Sequence, residues 1–410
     1  MQIPGNDDHS NADIYAKLGV KRRINAAGTL TRLGGAIMAP EVIDAMAAAA
    51  RASIDIGELQ AAASRIIARI TGAEAGIVTT GASAALTLAA AASMTRWDIA
   101  KMAALPHADG FAHEILLPRT HHTGYAHALR ASGARLVDIG HNDRGTGAGV
   151  RGIEPWEIEA AITPKTAAFA FAANPTSMGD LPTVVAVCRS RGIPVIVDAA
   201  AQLPPKSNLR RLFELGADLV AFSGGKAIGG PQASGILAGR RDLVGAALVQ
   251  QLDMDVAPET WTPPGLIDRA ALKGVPHHGV GRGFKAGKEE IVGLLVALER
   301  FANADDEAAN AALEARLRRI AELLGDLPGI GTQVVSATET GRVPQLRLVI
   351  DVAMARIDAL GLSRSLQDAD IPVHLSERFA HQGVLIIDPQ VLQVDDEEEL
   401  VAAVKRAARA

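Results

Sequence analysis

Two segments of this 410-residue chain place a reactive side chain at or just after the end of an apolar run. The first, Ile193–Asp198, ends in a carboxylate, and the second, Asp218–Phe222, is followed by Ser223-Gly-Gly-Lys226. A carboxylate in an apolar setting is costly unless it faces a cation or a hydrogen-bond donor. Glycines around a lone lysine let backbone and side chain approach a flat ligand. Taken separately, however, Asp198 could cap a helix and Lys226 could be an exposed loop lysine.

A third segment has the composition of an anion site. Gly81, Ala82 and Ser83 lie between the apolar run Gly76–Thr80 and an Ala-rich stretch with helical character. Glycine allows close backbone approach, Ser83 can donate a hydrogen bond, and a helix N-terminus attracts negative charge. The same tripeptide is also common in ordinary capped turns, so on its own it does not identify a site.

The three segments together fit one chemistry. Pyridoxal 5'-phosphate (PLP) requires a lysine that forms an imine, a carboxylate that keeps the pyridine nitrogen protonated, and a phosphate site. We therefore predict that Lys226 binds PLP covalently, that Asp198 pairs with the ring nitrogen, and that Gly81, Ala82 and Ser83 hold the phosphate.

These residues need a scaffold that brings strand ends together. From Gly72 onward, short apolar runs alternate with helical patterns, which is typical of a doubly wound, mostly parallel α/β sheet covered on both faces. In such a sheet, ligands lie at the carboxyl ends of the strands. The predicted strands are Gly76–Thr80, Glu114–Leu117, Arg135–Ile139, Thr166–Ala172, Pro194–Asp198, Asp218–Phe222 and Gly235–Ala238.

The chain is predicted to have an arm and two domains. Residues 1–44 are polar at the start and then Gly-rich and irregular, like an N-terminal arm, and residues 45–285 form the large domain. Residues 286–410 form a smaller C-terminal α+β domain. Its predicted elements are the helices Lys288–Phe301 and Glu307–Leu324, the strand Gln345–Ile350, a helix, two short strands and the final helix Glu397–Ala408.

Composition argues against several classes of partner. A net charge of −5 and a pI near 6.1 disfavour nucleic acid, and no apolar run reaches the length of a membrane span. The single cysteine, Cys188, excludes an intramolecular disulfide, and the polar N-terminus is unlike a signal peptide. We therefore expect a cytoplasmic protein that acts on a small polar metabolite, without nucleic-acid or membrane partners. Because the adjacent histidine pairs lack helical metal-ligand spacing, we predict no metal site.

Three longer segments resemble one branch of the fold-type I PLP enzymes. They are Ile24–Gly35, the lysine segment Ser223–Gln232 and Gly281–Val292. The branch contains bacterial selenocysteine synthase (L-seryl-tRNA selenium transferase) and D-glucosaminate-6-phosphate ammonia-lyase. The resemblance implies a fold-type I PLP-dependent transferase-like fold, with a seven-stranded sheet, and a homodimer or larger homo-oligomer with shared active sites.

The resemblance also assigns roles to individual residues. It implies that Ser223 is an additional phosphate ligand and that His121 or His122 lies on the ring face of the cofactor, with His121 preferred. Asn174 would contact the 3-oxygen, although Asn-Pro is also an ordinary turn opener. Arg282 would approach the cofactor phosphate or the substrate, although a basic loop of this kind is as often simply solvated. The predicted catalytic set is Lys226, Asp198 and His121, and the predicted substrate-binding residues are Arg32, Lys285 and Arg347.

The reaction is predicted from the same resemblance. Both enzymes of the branch remove the Cα proton and expel a β-oxygen, so elimination is the favoured reaction class. We predict an ammonia-lyase that converts a 2-amino-3-hydroxy acid, such as D-glucosaminate or its 6-phosphate, to a 2-oxo-3-deoxy acid and ammonia. The acidic balance and the short region before Ile24 disfavour an RNA-bound substrate. Racemisation or epimerisation, transamination, β-replacement by a selenium nucleophile, and PLP binding without turnover remain alternatives.

Overall fold

A computed structural model describes residues 11–142 and 153–409 of the chain. The chain divides into two compact units. The larger unit contains residues 36–304, and the smaller unit combines residues up to 35 with those from 305 onward. None of the described helices is long and apolar enough to cross a membrane.

Strands and helices are numbered in chain order. The strands are β1 Ile24–Ala26, β2 Ala75–Thr79, β3 Glu114–Pro118, β4 Arg135–Ile139, β5 Thr166–Ala172, β6 Val195–Asp198, β7 Leu219–Ser223, β8 Gly235–Gly239, β9 Ile330–Val335, β10 Gln345–Ile350, β11 Val373–Phe379 and β12 Val384–Ile387. The helices are α1 Asn11–Lys17, α2 Pro40–Ala50, α3 Ile56–Thr71, α4 Ala82–Thr95, α5 Ile99–Ala104, α6 Ala126–Ala131, α7 Pro155–Ala161, α8 Leu181–Ser190, α9 Asn208–Glu214, α10 Arg241–Gln251, α11 Lys288–Asn303, α12 Asp306–Leu324, α13 Ala337–Thr340, α14 Val352–Ala355, α15 Ala359–Gln367 and α16 Glu397–Ala407.

The larger unit is built on a seven-stranded sheet in the order β2-β8-β7-β6-β5-β3-β4. Strand β8 is antiparallel to both of its neighbours, and the remaining pairs are parallel. This confirms the predicted fold class, and each predicted strand ends within one residue of its observed position. The carboxyl ends of β2, β5, β6 and β7 therefore lie along one edge of the sheet.

Most strands of this sheet are apolar because helices cover both faces, and the edge strand β4, with exposed Arg135 and Asp138, is the exception. Along β7, Leu219 and Ala221 belong to one core cluster, and Val220 and Phe222 belong to the other. All four side chains are fully buried. Burial on both faces removes the alternation of polar and apolar residues that marks a half-exposed strand, which is why the central strands are recognisable as short continuous apolar runs.

The smaller unit has a five-stranded sheet in the order β1-β11-β12-β10-β9. One face of this sheet packs on α12, α15 and α16 through a separate apolar core that includes Leu317, Leu346, Leu362 and Leu400. The predicted α+β character, the strand β10 and the final helix agree with these elements. Strand β9 was not predicted.

The observed units differ from the predicted division at residues 44 and 285. Helix α11 lies in the larger unit because Ile291, Leu294 and Leu298 are buried in its core. The segment before residue 36 is more than an arm, since β1 pairs in parallel with β11 and Ile24 is almost fully buried. A strand of three residues has no measurable period, so the sequence does not reveal its pairing.

Candidate active site

The loop after β7 holds Lys226 in a tightly packed turn. The Gly224 N–H donates to the Ser234 carbonyl at 2.9 Å, and the Gly230 N–H donates to the Gly224 carbonyl at 2.9 Å. A Cβ on Gly225 would lie 2.5 Å from the Cα of Gln232, so no larger residue fits there without a backbone shift. The glycines next to the lysine therefore serve close packing of the loop on itself, and they fix the point from which Lys226 extends.

Asp198 ends β6, next to the strand that leads to the lysine. Its Cα pairs in register with Ala221 of β7, and its Oδ1 accepts a hydrogen bond from the Ala200 N–H at 3.0 Å. Burial raises the pKa of the Asp198 carboxyl, while the Ala200 N–H and the positive charge of Lys226 act in the opposite direction. A carboxylate in this environment gains from a further cation, and the protonated ring nitrogen of PLP is such a cation.

The N-terminus of α4 forms the predicted phosphate cup. Gly81 is the N-cap of this 14-residue helix with φ +94°, and a Cβ placed on it would meet no atom within 4 Å. Ser83 is exposed in the first turn. Gly235 of β8 packs directly beneath, since a Cβ there would lie 2.4 Å from the Gly81 carbonyl carbon. The positive φ and the open space at Gly81 fit a bound phosphate at the helix N-terminus.

His121 lies against the same cavity as Asp198. It is 6% exposed, and its ring meets the Phe171 ring edge-on with 4.6 Å between centroids. Burial lowers the pKa of His121 to about 4, so the ring is neutral near pH 7. Its Nδ1 accepts the Ala172 N–H at 3.3 Å, and an accepting nitrogen carries no proton. The neutral ring therefore carries its proton on Nε2.

His122 faces away from this cavity. Its Nε2 lies 2.6 Å from Asp138 Oδ1 at the end of β4, and both side chains are partly exposed. The two adjacent histidines thus have different surroundings, and the geometry favours His121 as the residue on the ring face. The cofactor contact predicted for His122 has no support from its position.

Asn174 and Ser223 follow neighbouring strands. The Asn174 Oδ1 accepts hydrogen bonds from the N–H groups of Thr176 and Ser177 and from the Thr176 hydroxyl. This is the ordinary turn role that the sequence offered as the alternative. The Asn174 Nδ2 donates a long hydrogen bond to the Ala172 carbonyl at 3.4 Å. Ser223 is half-buried at the end of β7. Their contacts with PLP stay predictions.

The 3-10 turn Val280–Phe284 contains Arg282 and is followed directly by Lys285. The Phe284 carbonyl accepts hydrogen bonds from the Thr80 hydroxyl at 3.1 Å and from Gln251 Nε2 at 3.1 Å. Arg282 forms an ion pair with Asp253 at 2.5 Å, and Lys285 is exposed. The hydrogen bond of Thr80, next to Gly81, couples this turn to the cup.

Arg32 and Arg347 belong to the smaller unit. Arg32 is exposed in the 3-10 turn Thr31–Leu33, and Arg347 lies on β10. Their part in substrate binding stays a prediction.

The sequence did not identify two buried polar residues, Ser234 and Gln251, whose hydrogen bonds hold the loops of the site in place. Ser234 is fully buried, accepts the Gly224 N–H through its carbonyl and donates its hydroxyl to the Pro231 carbonyl at 2.6 Å. Gln251 is 4% exposed and donates to the Val78 and Phe284 carbonyls. Such residues act through backbone carbonyls that are distant in sequence, and a single sequence carries no signal for those contacts.

One group of three side chains among the described residues comes close enough together to surround a cation. Asp253, Asp255 and His278 are all exposed, and Asp253 already pairs with Arg282. No metal was predicted in this segment, and exposed acidic groups of this kind are common without an ion.

The lysine, the half-buried carboxylate and the anion cup lie at the carboxyl ends of β7, β6 and β2, which is the arrangement of fold-type I PLP-dependent enzymes. PLP is accordingly the cofactor of this enzyme. The chain belongs to the aminotransferase class-V family, whose model matches residues 67–375.

The chain is also similar to several individual proteins of known activity. The chain is 30% identical to D-glucosaminate-6-phosphate ammonia lyase of Salmonella typhimurium, over 97% of this chain and 98% of that protein. It is also 30% identical to a 5'-C-glycyluridine monooxygenase-decarboxylase of Streptomyces, over 94% and 90% of the two chains. An L-seryl-tRNA(Sec) selenium transferase of Desulfomicrobium baculatum is 27% identical over 95% and 83%. A solved structure of D-glucosaminate-6-phosphate ammonia-lyase matches with a TM-score of 0.80 over 97% of this chain and 98% of that one.

Proposed function

We propose that this enzyme catalyses PLP-dependent α,β-elimination on a 2-amino-3-hydroxy acid, such as D-glucosaminate or its 6-phosphate. The products would be a 2-oxo-3-deoxy acid and ammonia. The observation that carries the proposal is the placement of Asp198 and Lys226 at the ends of neighbouring strands, close enough for the lysine charge to act on the carboxyl, in a chain that matches the ammonia-lyase along nearly its whole length. Overall, one water is lost with the β-hydroxyl and one is taken up when ammonia leaves.

Lys226, Asp198 and His121 have different roles in this reaction. PLP, when bound, makes the Cα proton of an amino acid acidic. Lys226 Nζ takes that proton and then gives it to the departing β-oxygen, so one side chain serves both transfers. Asp198 holds the ring nitrogen in its protonated form. His121, neutral and with its proton on Nε2, donates a hydrogen bond but carries no spare proton near pH 7.

Three basic residues are proposed to bind the substrate. Lys285 is exposed directly after the 3-10 turn whose Phe284 carbonyl accepts the Thr80 hydroxyl. Arg32 and Arg347 offer guanidinium groups, which bind carboxylate or phosphate with two parallel hydrogen bonds. A substrate with a carboxylate and a phosphate would use such cations.

The reaction is tested by a product assay on D-glucosaminate, its 6-phosphate and D-serine. We expect ammonia and 2-oxo-3-deoxy acid in equal amounts, because elimination converts each substrate molecule to one of each. In deuterated water, one deuterium should appear at C3 of the product, since solvent protonates the carbon that lost the hydroxyl.

Each alternative gives a different result in the same assay. Deuterium at C2 of recovered amino acid without ammonia would identify a racemase or epimerase. A keto acid without ammonia would identify an aminotransferase. Oxygen consumption with release of carbon dioxide would match the activity named for the Streptomyces relative. Any of these outcomes contradicts the lyase proposal, as does bound PLP without turnover on a wide panel.

We also propose that the enzyme is a homo-oligomer. The N-terminal segment exposes four large apolar side chains, Ile14, Tyr15, Leu18 and Val20, each more than half accessible. Burial of such side chains against a second copy is favourable. Sedimentation velocity on the active holoenzyme should give at least a dimer, and an active monomer would contradict this. A cytoplasmic location stays a prediction from the sequence.

A further inference from the structure

The sheet of the smaller unit has one apolar face and one polar face. Leu346 and Leu348 of β10 and Leu375 of β11 point into the apolar core of the unit. Side chains alternate along a strand, so Arg347 and His374 point to the opposite face. The strand register also places Arg347 and His374 on the same face. Arg347 is paired with Ile386 of β12, and Ile386 is paired with Ser376 of β11. Ser376 lies two residues after His374, so both point to the same side of the sheet.

His374 is a buried polar side chain whose ring nitrogens have no hydrogen-bond partner among the described residues. It is 4% exposed, and neither ring nitrogen makes a hydrogen bond within the described part of the chain. A buried donor or acceptor that lacks a partner costs free energy comparable to a lost hydrogen bond. Native proteins tolerate this where a ligand or water completes the bond. His374 is therefore placed to receive polar groups from outside the protein chain.

The charge state of His374 defines which groups it can receive. Burial lowers the pKa of His374, the nearby Arg32 and Arg23 lower it further, and Glu377 acts in the opposite direction. The ring is neutral near pH 7, with one nitrogen as donor and the other as acceptor. A carboxylate or phosphate oxygen would satisfy only the donor. A hydroxyl group both donates and accepts, so hydroxyl groups satisfy both ring nitrogens.

Arg347 supplies positive charge on the same face. Its Nε is buried and has no hydrogen-bond partner within the described part of the chain. The pKa of the exposed Glu339 is lowered mainly by hydrogen bonds from the hydroxyl and N–H of Ser336. The positive charge of Arg347 lowers it further. The Cα atoms of Arg347 and His374 are separated by roughly 12 Å, from a strand spacing of about 4.8 Å and a rise of about 3.4 Å per residue. A ligand that reaches both side chains needs polar groups at two separated points.

A hydrogen-bonded turn leads from the strand beside His374 to Arg32, whose charge acts on the His374 ring. The Asn25 side chain accepts the Ala27 N–H at 3.0 Å and donates to the Gly28 carbonyl at 3.1 Å. Gly28 has φ +83°, and a Cβ there would lie 3.1 Å from the Asp388 carboxyl. Asn25 also pairs with His374 across β1 and β11. The turn that leads to Arg32 is thus fixed to the strand that bears His374.

We infer that the polar face of the smaller sheet is a binding subsite for a hydroxylated organic anion, in which His374 recognises hydroxyl groups and Arg347 and Arg32 bind the anionic group. The inference rests on the proposed function, since an aldonic acid or its phosphate combines these two features. It makes His374 the residue that distinguishes a polyhydroxy acid from a short one.

The experiment measures binding of D-gluconate 6-phosphate to the holoenzyme by calorimetry. This probe has no amino group, so it binds without turnover and its affinity is measured separately from the reaction. We expect His374→Phe to weaken binding about tenfold or more, because it removes both a donor and an acceptor. His374→Gln, which keeps a donor and an acceptor, should restore most of the affinity. The matched control is His381→Gln, an exposed histidine of the same unit.

The outcomes separate this inference from the proposed function. Equal affinity of wild type and His374→Phe would overturn the inference, and so would equal weakening by His374→Phe and His374→Gln in folded protein. Inorganic phosphate, measured alongside, should bind His374→Phe as it binds wild type, and an equal loss for phosphate would overturn the hydroxyl assignment. Failure of the proposed function would show instead as absence of ammonia from amino acid substrates, whatever the affinity for the probe.

Discussion

Lys226→Arg is expected to lower kcat/KM by about four orders of magnitude or more, on the scale of removing a covalent catalyst. Arginine keeps the positive charge but is always protonated, so it neither links to the cofactor nor takes a proton from Cα. The loop should keep its fold, because its hydrogen bonds run between backbone groups of Gly224, Gly230 and Ser234. The loss would therefore report chemistry at Nζ.

Borohydride reduction gives an independent measurement on the same residue. Reduction of the wild-type enzyme should fix the cofactor to the peptide that contains Lys226, and peptide mapping locates it. Lys273→Arg is the matched control because Lys273 is exposed in a loop of the same unit. It should keep full activity and the label on Lys226. A label on Lys206 or Lys273, or an active Lys226→Arg variant, would refute the assignment.

The fold of the larger unit could be predicted because burial on both faces gives each strand its own signal. Runs such as 219–222 and 167–172 are apolar without interruption, and glycines or helical stretches separate them. The smaller unit was harder to predict. Its strands face an apolar core on one side and polar residues on the other, and β1 pairs with a strand almost 350 residues later. Such distant pairing leaves no local pattern.

Site residues could be predicted where the chemistry requires a particular residue type. They could not be predicted where two residues of the same type differ only in their positions in the fold. A lysine among glycines and a carboxylate that ends an apolar strand are rare combinations, so Lys226 and Asp198 could be found directly. His121 and His122 have the same residue type and adjacent positions, and only the structure separates them. One is buried against Phe171, and the other faces Asp138. The sequence likewise could not show that the His374 nitrogens lack hydrogen-bond partners among the described residues, because a missing partner is a property of the folded chain.

The second large effect is expected at Asp198. Asp198→Asn should lower kcat by about a hundred- to a thousandfold, the scale of removing one preorganised electrostatic group. Asparagine keeps an oxygen that accepts the Ala200 N–H, so the local structure is retained. It carries no charge, however, and a neutral amide does not hold the pyridine nitrogen in its protonated form. The variant should therefore still bind PLP, with a visible absorption band that differs from that of wild type.

Stability distinguishes this role from a structural one. Burial raises the pKa of Asp198, which means that the folded chain without cofactor disfavours the charged carboxylate. Replacing it with a neutral amide removes that cost, so the thermal midpoint of the cofactor-free Asp198→Asn protein should be no lower than that of wild type. Asp138→Asn, at the exposed end of β4, serves as the control that changes a carboxylate outside the cavity and should leave kcat and the absorption band unchanged. A wild-type rate in Asp198→Asn, or a lower midpoint with proportional loss of folded protein, would mean that Asp198 supports the fold and not the cofactor.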